Sequence, residues 1–369
     1  MVILPFFIIM ISVHFTNPVE NRECKSDPAN LWLDMVIVVD TSTDMTNEKL
    51  KLTKASLINM FSQKTRIGTN YDDPRSTRVG IVTYNRNASV VADLDEFNST
   101  SSLHQAVETL IVSNEKIGNL SAGLTKAEEV LAAGRANGTR ANYPQMIVVF
   151  AAFNEFIDVL NLEHVAKRIK SNNIVIAVVN TSGRNSIFFN FEKISSNMYY
   201  NYGIHISWKL LSDAAKANCF CKTGITSKYG LNSGTCLDVS IDKKTWNVAS
   251  ETCKNKNGHL AMDDQSYQSE KRELIEHVLS VTEALLNDSY HIGLHKENDK
   301  WIWEQRSGES PIENENMDIR ILSLEKTRTA ATAEYRWGSS KSWEFVDPNV
   351  DERFYICETV ACDTDNYCP

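Results

Sequence analysis

Cysteines divide this chain into two halves of different kinds. Cys24 stands alone in the first 218 residues, and the other seven follow: Cys219, Cys221, Cys236, Cys253, Cys357, Cys362 and Cys368. An even number of cysteines crowded into one half predicts a disulfide framework and an extracellular chain. Eight cysteines allow 105 pairings, so spacing alone assigns none of them. A zinc site is disfavoured because Cys219-Phe-Cys221 is tighter than the usual ligand pair.

The N-terminal residues also predict export. Residues 1–13 are almost entirely apolar, but a helix needs about 20 such residues to span a membrane. We therefore predict a signal peptide over residues 1–17 and a secreted protein, with an uncleaved anchor or a buried strand as the alternatives. No later run approaches spanning length, so no transmembrane segment is expected.

Charge and motifs exclude several classes of function. The net charge is −9 and the basic residues form no block, so a nucleic-acid partner is not expected. The sequence contains no dinucleotide-binding, phosphate-binding or nucleophile-elbow motif, and we predict that the chain is not an enzyme. His291 and His295 stand four residues apart in a predicted strand. That spacing separates them by about 13 Å, too far for one metal ion.

Residues 31–215 alternate continuous β-branched runs with helical patterns. The runs are Met35–Val39, Val79–Tyr84, Met146–Phe150 and Ile174–Val179. The helical stretches between and after them are Thr46–Gln63, Leu103–Ser113, Ala122–Ala133 and Leu162–Ser171. Continuous apolar runs are typical of strands buried on both faces. The alternation predicts a doubly wound α/β domain with a mostly parallel sheet, whose ligands bind at the carboxyl ends of the strands.

Residues 216–369 follow a different pattern. Two helical segments come first, at Lys244–Lys254 and Ser266–Ser280. Short aromatic strands follow at Tyr290–His295, Trp301–Glu304, Glu334–Trp337, Ser342–Phe345 and Phe354–Cys357. Helices followed by strands, together with the cysteines, predict a disulfide-stapled α+β domain over residues 219–369.

The first half resembles the von Willebrand factor A family. The first predicted strand ends in Asp40-Thr-Ser-Thr-Asp44, which is similar to the Asp-x-Ser-x-Ser of that family. Further segments match the family in order: Leu31–Asp40, Arg78–Tyr84, Val90–Leu94, Leu103–Leu110 and Gly118–Leu124. The resemblance implies a strand-end site for a divalent cation, built from oxygen ligands.

This chain departs from the family's five metal ligands at three positions. Asp40 and Ser42 match, but Asp44 replaces the second Ser, Asn119 or a neighbour stands where Thr belongs, and Ala152 replaces the second Asp. We expect Asp40 and Ser42 to hydrogen-bond the loop and the domain to be a scaffold or a metal-free protein-binding surface. A rebuilt Ca²⁺ or Mg²⁺ site on Asp40, Ser42 and Asp44 is the alternative, and no other cofactor is expected.

The second half resembles the C-type lectin-like domain. The matching segments, in family order, are Trp246–Cys253, Gly258–Ala261, His291–Leu294, Trp301–Trp303 and Tyr355–Glu358. The resemblance implies a Cys253–Cys357 bridge and an N-terminal hairpin bridge, most simply Cys221–Cys236. For the remaining four cysteines we expect Cys362–Cys368 in the tail and Cys24–Cys219 at the termini of the first domain.

The family's calcium-dependent sugar site is incomplete in this sequence. Its long loop reads Glu309–Asn316 without an intact Glu-Pro-Asn or Gln-Pro-Asp, and its strand reads Trp343-Glu-Phe345, with an aromatic ring in place of the ligating Asp. We therefore expect no Ca²⁺-dependent sugar binding of the usual kind. The acidic stretch Glu313–Asp318 could hold Ca²⁺ in another way, although such loops are usually only solvated.

Six sequons predict a glycoprotein if the chain is exported and the residues are exposed. Their asparagines are Asn87, Asn98, Asn119, Asn137, Asn180 and Asn287. Taken together, the resemblances are those of secreted nematode C-type lectins that carry a von Willebrand A-like domain. They imply an extracellular recognition protein for carbohydrate or pathogen surfaces in innate defence. A protein-binding adhesion or matrix scaffold without sugar affinity is the alternative.

Overall fold

The structure is a computed structural model, and it describes most of the chain. The described residues are 23–61, 64–136, 138–152, 159–182, 191–203, 205–222, 234–263, 275, 278–279, 288–314, 327–334 and 343–369. The chain divides into two units. Glu23–Asp238 and Thr359–Pro369 form the first, and Val239–Glu358 belong to the second. The predicted signal peptide over residues 1–17 lies outside the described residues.

A six-stranded sheet forms the centre of the first unit, with strand order β3-β2-β1-β4-β5-β6. All neighbouring pairs are parallel except β2 and β3. The strands are β1 Asp34–Asp40, β2 Arg78–Tyr84, β3 Ala88–Ala92, β4 Gln145–Ala151, β5 Ile174–Asn180 and β6 Met198–Asn201. The helices are α1 Asn47–Met60, α2 Thr100–Glu108, α3 Leu120–Ala133, α4 Val159–Ser171 and α5 Ile206–Ala217.

Both faces of this sheet are buried, as its continuous apolar runs predict. Ile37 faces the core that includes residues of α1, α2 and α5, while the adjacent Val38 faces the core that includes residues of α3 and α4. Alternate side chains of a strand point to opposite faces, so the central run of β1, Met35–Val39, must be apolar on both faces. The doubly wound α/β prediction is confirmed. Strand β6 and helix α5 were not among the predicted elements.

The last eleven residues of the chain belong to this first unit. The carboxylate of Asp363 accepts hydrogen bonds from the backbone N–H groups of Lys25, Asp365 and Asn366. The carbonyl oxygen of Asp363 accepts one from the indole N–H of Trp32, at 2.8 Å. The ring of Tyr367 lies 4.8 Å from that of Trp32. The tail therefore holds the segment that leads into β1.

A buried ion-pair network lies at the start of β1. Arg78 donates from Nε and Nη2 to the two carboxylate oxygens of Asp34, at 2.9 and 2.8 Å. Arg140 donates from Nε to the same carboxylate, at 2.9 Å. Because Asp34 is buried and shared by Arg78 and Arg140, its removal would leave two positive charges without their common partner inside the protein.

The second unit is an α+β domain, which confirms the predicted fold class. Its sheet has the order β11-β10-β9-β12-β13, and β14 pairs with β7, β8 and β9. Its helix α6 is Trp246–Lys254. The strands are β7 Thr235–Thr245, β8 His259–Leu260, β9 Ser289–Glu297, β10 Lys300–Trp303, β11 Ile312–Glu313, β12 Ala330–Glu334, β13 Trp343–Val346 and β14 Glu352–Val360.

Two features explain why this domain needs its particular motif residues. Trp246 packs in the core and donates its indole N–H to the carbonyl of Ile292, at 2.8 Å. A Cβ atom on Gly293 would lie 2.6 Å from the carbonyl oxygen of Leu260, so only glycine lets β9 approach there. The strand expected at Glu334–Trp337 begins earlier, as β12, and residues 335–337 lie outside the described part. Most of the helix expected at Ser266–Ser280 also lies outside it.

All eight cysteines are paired. The disulfides are Cys24–Cys219, Cys221–Cys236, Cys253–Cys357 and Cys362–Cys368. Cys253–Cys357 joins α6 to β14 in the second unit, and the other three lie in the first unit. The expected domain limits, 31–215 and 219–369, stay predictions. The contacts group residues 219–238 and 359–369 with the first unit.

Candidate functional site

The carboxyl ends of β1 and β4 meet at Asp40, the central residue of the expected metal site. Asp40 is fully buried. Its Oδ1 accepts a hydrogen bond from the backbone N–H of Ser42 at 2.8 Å, and its Oδ2 accepts one from the backbone N–H of Ala152 at 3.2 Å. Each oxygen of the carboxyl group therefore already has a donor within the protein. Ala152, which stands in place of the family's second Asp, contributes a donor rather than a ligand.

Burial dominates the protonation of this carboxyl group. It raises the pKa of Asp40 to about 6, and the hydrogen bonds from Ser42 and Ala152 counteract only part of the increase. The negative charge of Asp44 raises this pKa further. Burial and the neighbouring Asp40 also raise the pKa of Tyr84 well above its usual range. A bound divalent cation would have the opposite effect on a carboxyl group, because it favours the ionised form.

The remaining expected ligand positions do not complete a cation site. Asp44 is exposed, and its carbonyl oxygen accepts a hydrogen bond from Lys49 Nζ at 2.7 Å. Asn119 caps α3, since its Oδ1 accepts hydrogen bonds from Ala122 N–H and Ser121 Oγ. Among the described residues, no three side chains of Asp, Glu, His or Cys are grouped as metal ligands. Mg²⁺ and Ca²⁺ prefer several oxygen ligands, and here the carboxylate oxygens of Asp40 and the Oδ1 of Asn119 accept hydrogen bonds from within the protein.

Aromatic rings surround Phe345, the residue expected in place of the lectin family's calcium-ligating Asp. Phe345 is 7% exposed, and its ring centroid lies 4.7 Å from that of Trp301 on β10. The next pair, Trp303 and Trp343, packs edge to face at 5.7 Å. If Phe345 stands in the place of the family's ligating Asp, as the resemblance implies, its ring offers no oxygen ligand there. Aromatic pairs of this kind add to the stability of a core.

The acidic loop of the second unit is paired with basic side chains where it is described. Glu309 pairs with Arg306, and Glu313 pairs with Lys300 Nζ at 2.9 Å. Residues 315–318 of the stretch Glu313–Asp318 lie outside the described part.

The sequence did not single out Glu304, a buried acidic residue that organises the second unit. Its carboxylate accepts hydrogen bonds from the hydroxyl of Ser250 and from Leu260 N–H, and it forms an ion pair with Lys254 Nζ at 2.8 Å. It thereby links α6, β8 and the end of β10. Its position directly after the Trp301–Trp303 run was the available signal. An acidic residue next to a buried run is itself expected to be buried, and a buried carboxylate requires partners.

The two histidines of the expected strand serve the fold. Nε2 of His291 lies 2.8 Å from the carbonyl of Lys244, and burial lowers the pKa of His291 to about 4. The ring of His295 lies 4.8 Å from that of Trp246. His291 is therefore neutral at pH 7.

The asparagines of the described sequons differ in how exposed they are to solvent. Asn87 and Asn98 are exposed and Asn119 is half-buried. Asn180 is fully buried, its amide donates to Tyr199 and Asn201, and its carbonyl accepts from Ser182. The prediction of a glycan at Asn180 is therefore corrected, because a glycan needs an exposed acceptor. Asn137 and Asn287 lie outside the described residues.

Each unit contains a segment that matches a known domain family. Residues 34–207 match the von Willebrand factor type A domain, and residues 242–359 match the Lectin C-type domain. The chain is 23% identical over 376 residues to C-type lectin domain-containing protein 160 of Caenorhabditis elegans. That alignment covers 94% of this chain and 56% of the relative, so the chain spans about half of the relative's length.

Two solved structures show weaker similarity to the chain. Proximal thread matrix protein 1 from the mussel byssus is 14% identical, with a TM-score of 0.43, and the match covers 53% of this chain and 49% of that one. The conserved hypothetical protein BatB from Bacteroides thetaiotaomicron is 14% identical, with a TM-score of 0.35, and the match covers 50% and 99% of the two chains.

The matched domains settle the broad class of this protein. Both are binding domains, and a lectin-domain relative and four disulfides fit an extracellular protein. Among the described residues, no helix is both long enough and apolar enough to span a membrane. The first unit thus contains a von Willebrand factor type A domain and the second a C-type lectin domain, and the chain is similar to a nematode C-type lectin domain-containing protein.

Proposed function

We propose that this chain is a secreted recognition protein that binds carbohydrate on pathogen or cell surfaces in innate defence, without a divalent cation. The lectin-type domain supports a glycan ligand, and the von Willebrand A domain supports an adhesive role. The apolar residues 1–13 and the exposed sequons at Asn87 and Asn98 support export and glycosylation. A non-catalytic role agrees with both domain families.

One observation carries the cation-independent part of this proposal. At the position expected for a metal ligand in each unit, the described residues make an internal contact. Ala152 N–H donates to Asp40 in the first unit, and Phe345 packs on Trp301 in the second. Binding therefore depends on side chains and backbone groups that need no ion.

Exposed apolar side chains favour a protein ligand as the second candidate. Ile111, Leu160 and Trp208 are 77%, 75% and 72% exposed in the first unit. Ile111 lies two residues before Ser113, which donates to the carbonyl of Thr41 beside Asp40. Leu160 precedes Asn161, which donates to Ser121 in the first turn of α3. Aromatic side chains are enriched at protein interfaces, and exposed Ile111 and Leu160 are the candidate contacts for such a ligand in the first unit.

A glycan array probed with the full chain separates these candidates. We expect binding to a subset of glycans that is unchanged when EDTA replaces Ca²⁺. Binding that EDTA abolishes would contradict cation independence. Capture of a protein ligand without any glycan binding would favour the second candidate. Leu160→Ser should then weaken capture, while Val350→Ser, a comparably exposed position in the lectin unit, should not.

A further inference from the structure

Strand β3 is an unusually bare sheet edge. It ends the strand order of the first unit, so one side of its backbone has no neighbouring strand in the described sheet. Ser89, Val90 and Val91 are exposed, and Val90 and Val91 retain 40% and 41% of their accessible surface. Proteins commonly protect such edges with charged residues or proline, because a bare edge pairs with another chain. Residues 87–92 contain neither.

A β-bulge protects one end of this edge. The pairing with β2 shifts between Ile81↔Ala92 and Val82↔Val90, which leaves Val91 as an extra residue. Such a bulge twists the strand and disrupts the ladder locally. The register from Ala88 to Val90 is regular, and it keeps its capacity to pair. The structure therefore protects the Val91 end of β3 and leaves the Ala88 end open.

The open end begins directly after a sequon. Asn87 precedes β3, and it forms the sequon Asn87-Ala-Ser89. Asn87 and Ser89 are both exposed. The turn that presents Asn87 is fixed: its N–H donates to Asn85 Oδ1 at 3.1 Å, and its carbonyl accepts from Asn85 N–H at 2.9 Å. Three residues of strand span about 10 Å, so a glycan on Asn87 would lie within reach of the whole regular segment.

We propose that Asn87 carries an N-glycan that covers the open end of β3, and that the uncovered edge pairs with β3 of a second copy of this chain. The regular segment from Ala88 to Val90 carries no charge, so no like charges oppose each other in an antiparallel pair of this strand with itself, and the β-branched Val90 favours a strand. The glycan is bulky and hydrophilic, so it blocks that approach. The proposal rests on the extracellular function proposed above, because sequons are modified only in exported chains.

The test uses the full chain, with its own N-terminus, expressed in a glycosylating eukaryotic cell and purified from the medium. Mass spectrometry before and after enzymatic removal of N-glycans measures occupancy at Asn87. Light scattering over a concentration series measures self-association. Asn87→Gln and Ser89→Ala each remove the sequon, Ser89→Thr preserves it, and Asn98→Gln removes an exposed sequon that lies after the strand.

We expect wild type, Ser89→Thr and Asn98→Gln to remain monomeric, whereas Asn87→Gln and Ser89→Ala should self-associate at least about tenfold more tightly. Adding Val90→Lys to Asn87→Gln should restore the monomer, because a charge on the edge replaces the glycan. A secreted chain without a glycan at Asn87 would overturn this proposal alone. So would Asn87→Gln that stays monomeric like wild type. A chain retained in the cell without glycans would contradict both this proposal and the extracellular assignment.

Discussion

The two units depart from the metal sites of their families by different physical routes. In the first unit, the site keeps its carboxyl group, and the backbone N–H of Ala152 donates a hydrogen bond to Asp40 Oδ2. In the second unit, the carboxyl group itself is replaced, and Phe345 joins an aromatic cluster with Trp301. The first site is therefore buried but still titratable, whereas the second has become part of the apolar core.

The disulfides distinguish the units further, and their removal should give the largest effect. Cys253–Cys357 closes a loop over 104 residues of sequence in the lectin unit. Replacing both cysteines with serine should lower the unfolding free energy of that unit by about 4 to 5 kcal/mol on the chain-entropy account. Hydrogen exchange of β9 amides measures the loss. Protection of β1 amides in the first unit should be unchanged, and an equal loss there would show that the units do not unfold separately.

The units should respond to pH in opposite directions. The pKa of Asp40 is raised to about 6, so the folded first unit holds a proton that the unfolded chain releases at a lower pH. Its contribution is present below about pH 4 and is lost as the pH rises through 6. The pKa of His291 is lowered to about 4, so the lectin unit loses stability as the pH falls from about 6.5 to 4. Each shift corresponds to about 3 kcal/mol.

Paired variants isolate these two groups from all other titrations. Hydrogen exchange of β1 amides measures the unfolding free energy of wild type and of Asp40→Asn. The difference between them should change across pH 4–6, because wild type loses stability as the pH rises. The difference between wild type and His291→Gln should change in the opposite direction for β9 amides. Differences that are flat with pH would show that the two groups titrate normally.

The C-terminal tail gives a smaller effect, confined to the first unit. Asp363→Ala removes the acceptor of three backbone N–H groups and should destabilise that unit by about 3 kcal/mol or less. Exposed Asp365→Ala in the same tail is the matched control and should change stability by less than about 0.5 kcal/mol. Hydrogen exchange measures the change. Lower protection of β9 amides with unchanged protection of β1 amides would contradict the assignment of the tail to the first unit.

Sequence patterns predicted the strands and helices that carry strong periodicity. β1, β2, β4 and β5 follow from continuous β-branched runs, since few other environments accept such runs. β6 was missed because its four residues, Met198–Asn201, are partly polar and too short to show a pattern. The contact of Trp32 with Asp363 joins residues 331 positions apart, and no local pattern encodes it.

The candidate site was predictable only in part. Asp40 and Ser42 were identified by their position after a buried strand, and Ala152 by the absence of a ligand atom. The hydrogen bond from Ala152 N–H to Asp40 could not be read from the sequence, because every residue except proline has a backbone N–H. The packing of Phe345 on Trp301 likewise depends on tertiary structure, although the substitution of an aromatic residue for Asp was visible.

Cation titration of the full chain tests the central claim most directly. Isothermal calorimetry and thermal unfolding, each with Ca²⁺ and with Mg²⁺ against EDTA, measure binding and stabilisation at both domains together. We expect no saturable heat and no rise in the unfolding temperature, because Asp40 is engaged by Ser42 and Ala152 and Phe345 offers no oxygen ligand. Saturable binding that stabilises the chain and disappears in Asp40→Asn would contradict the account.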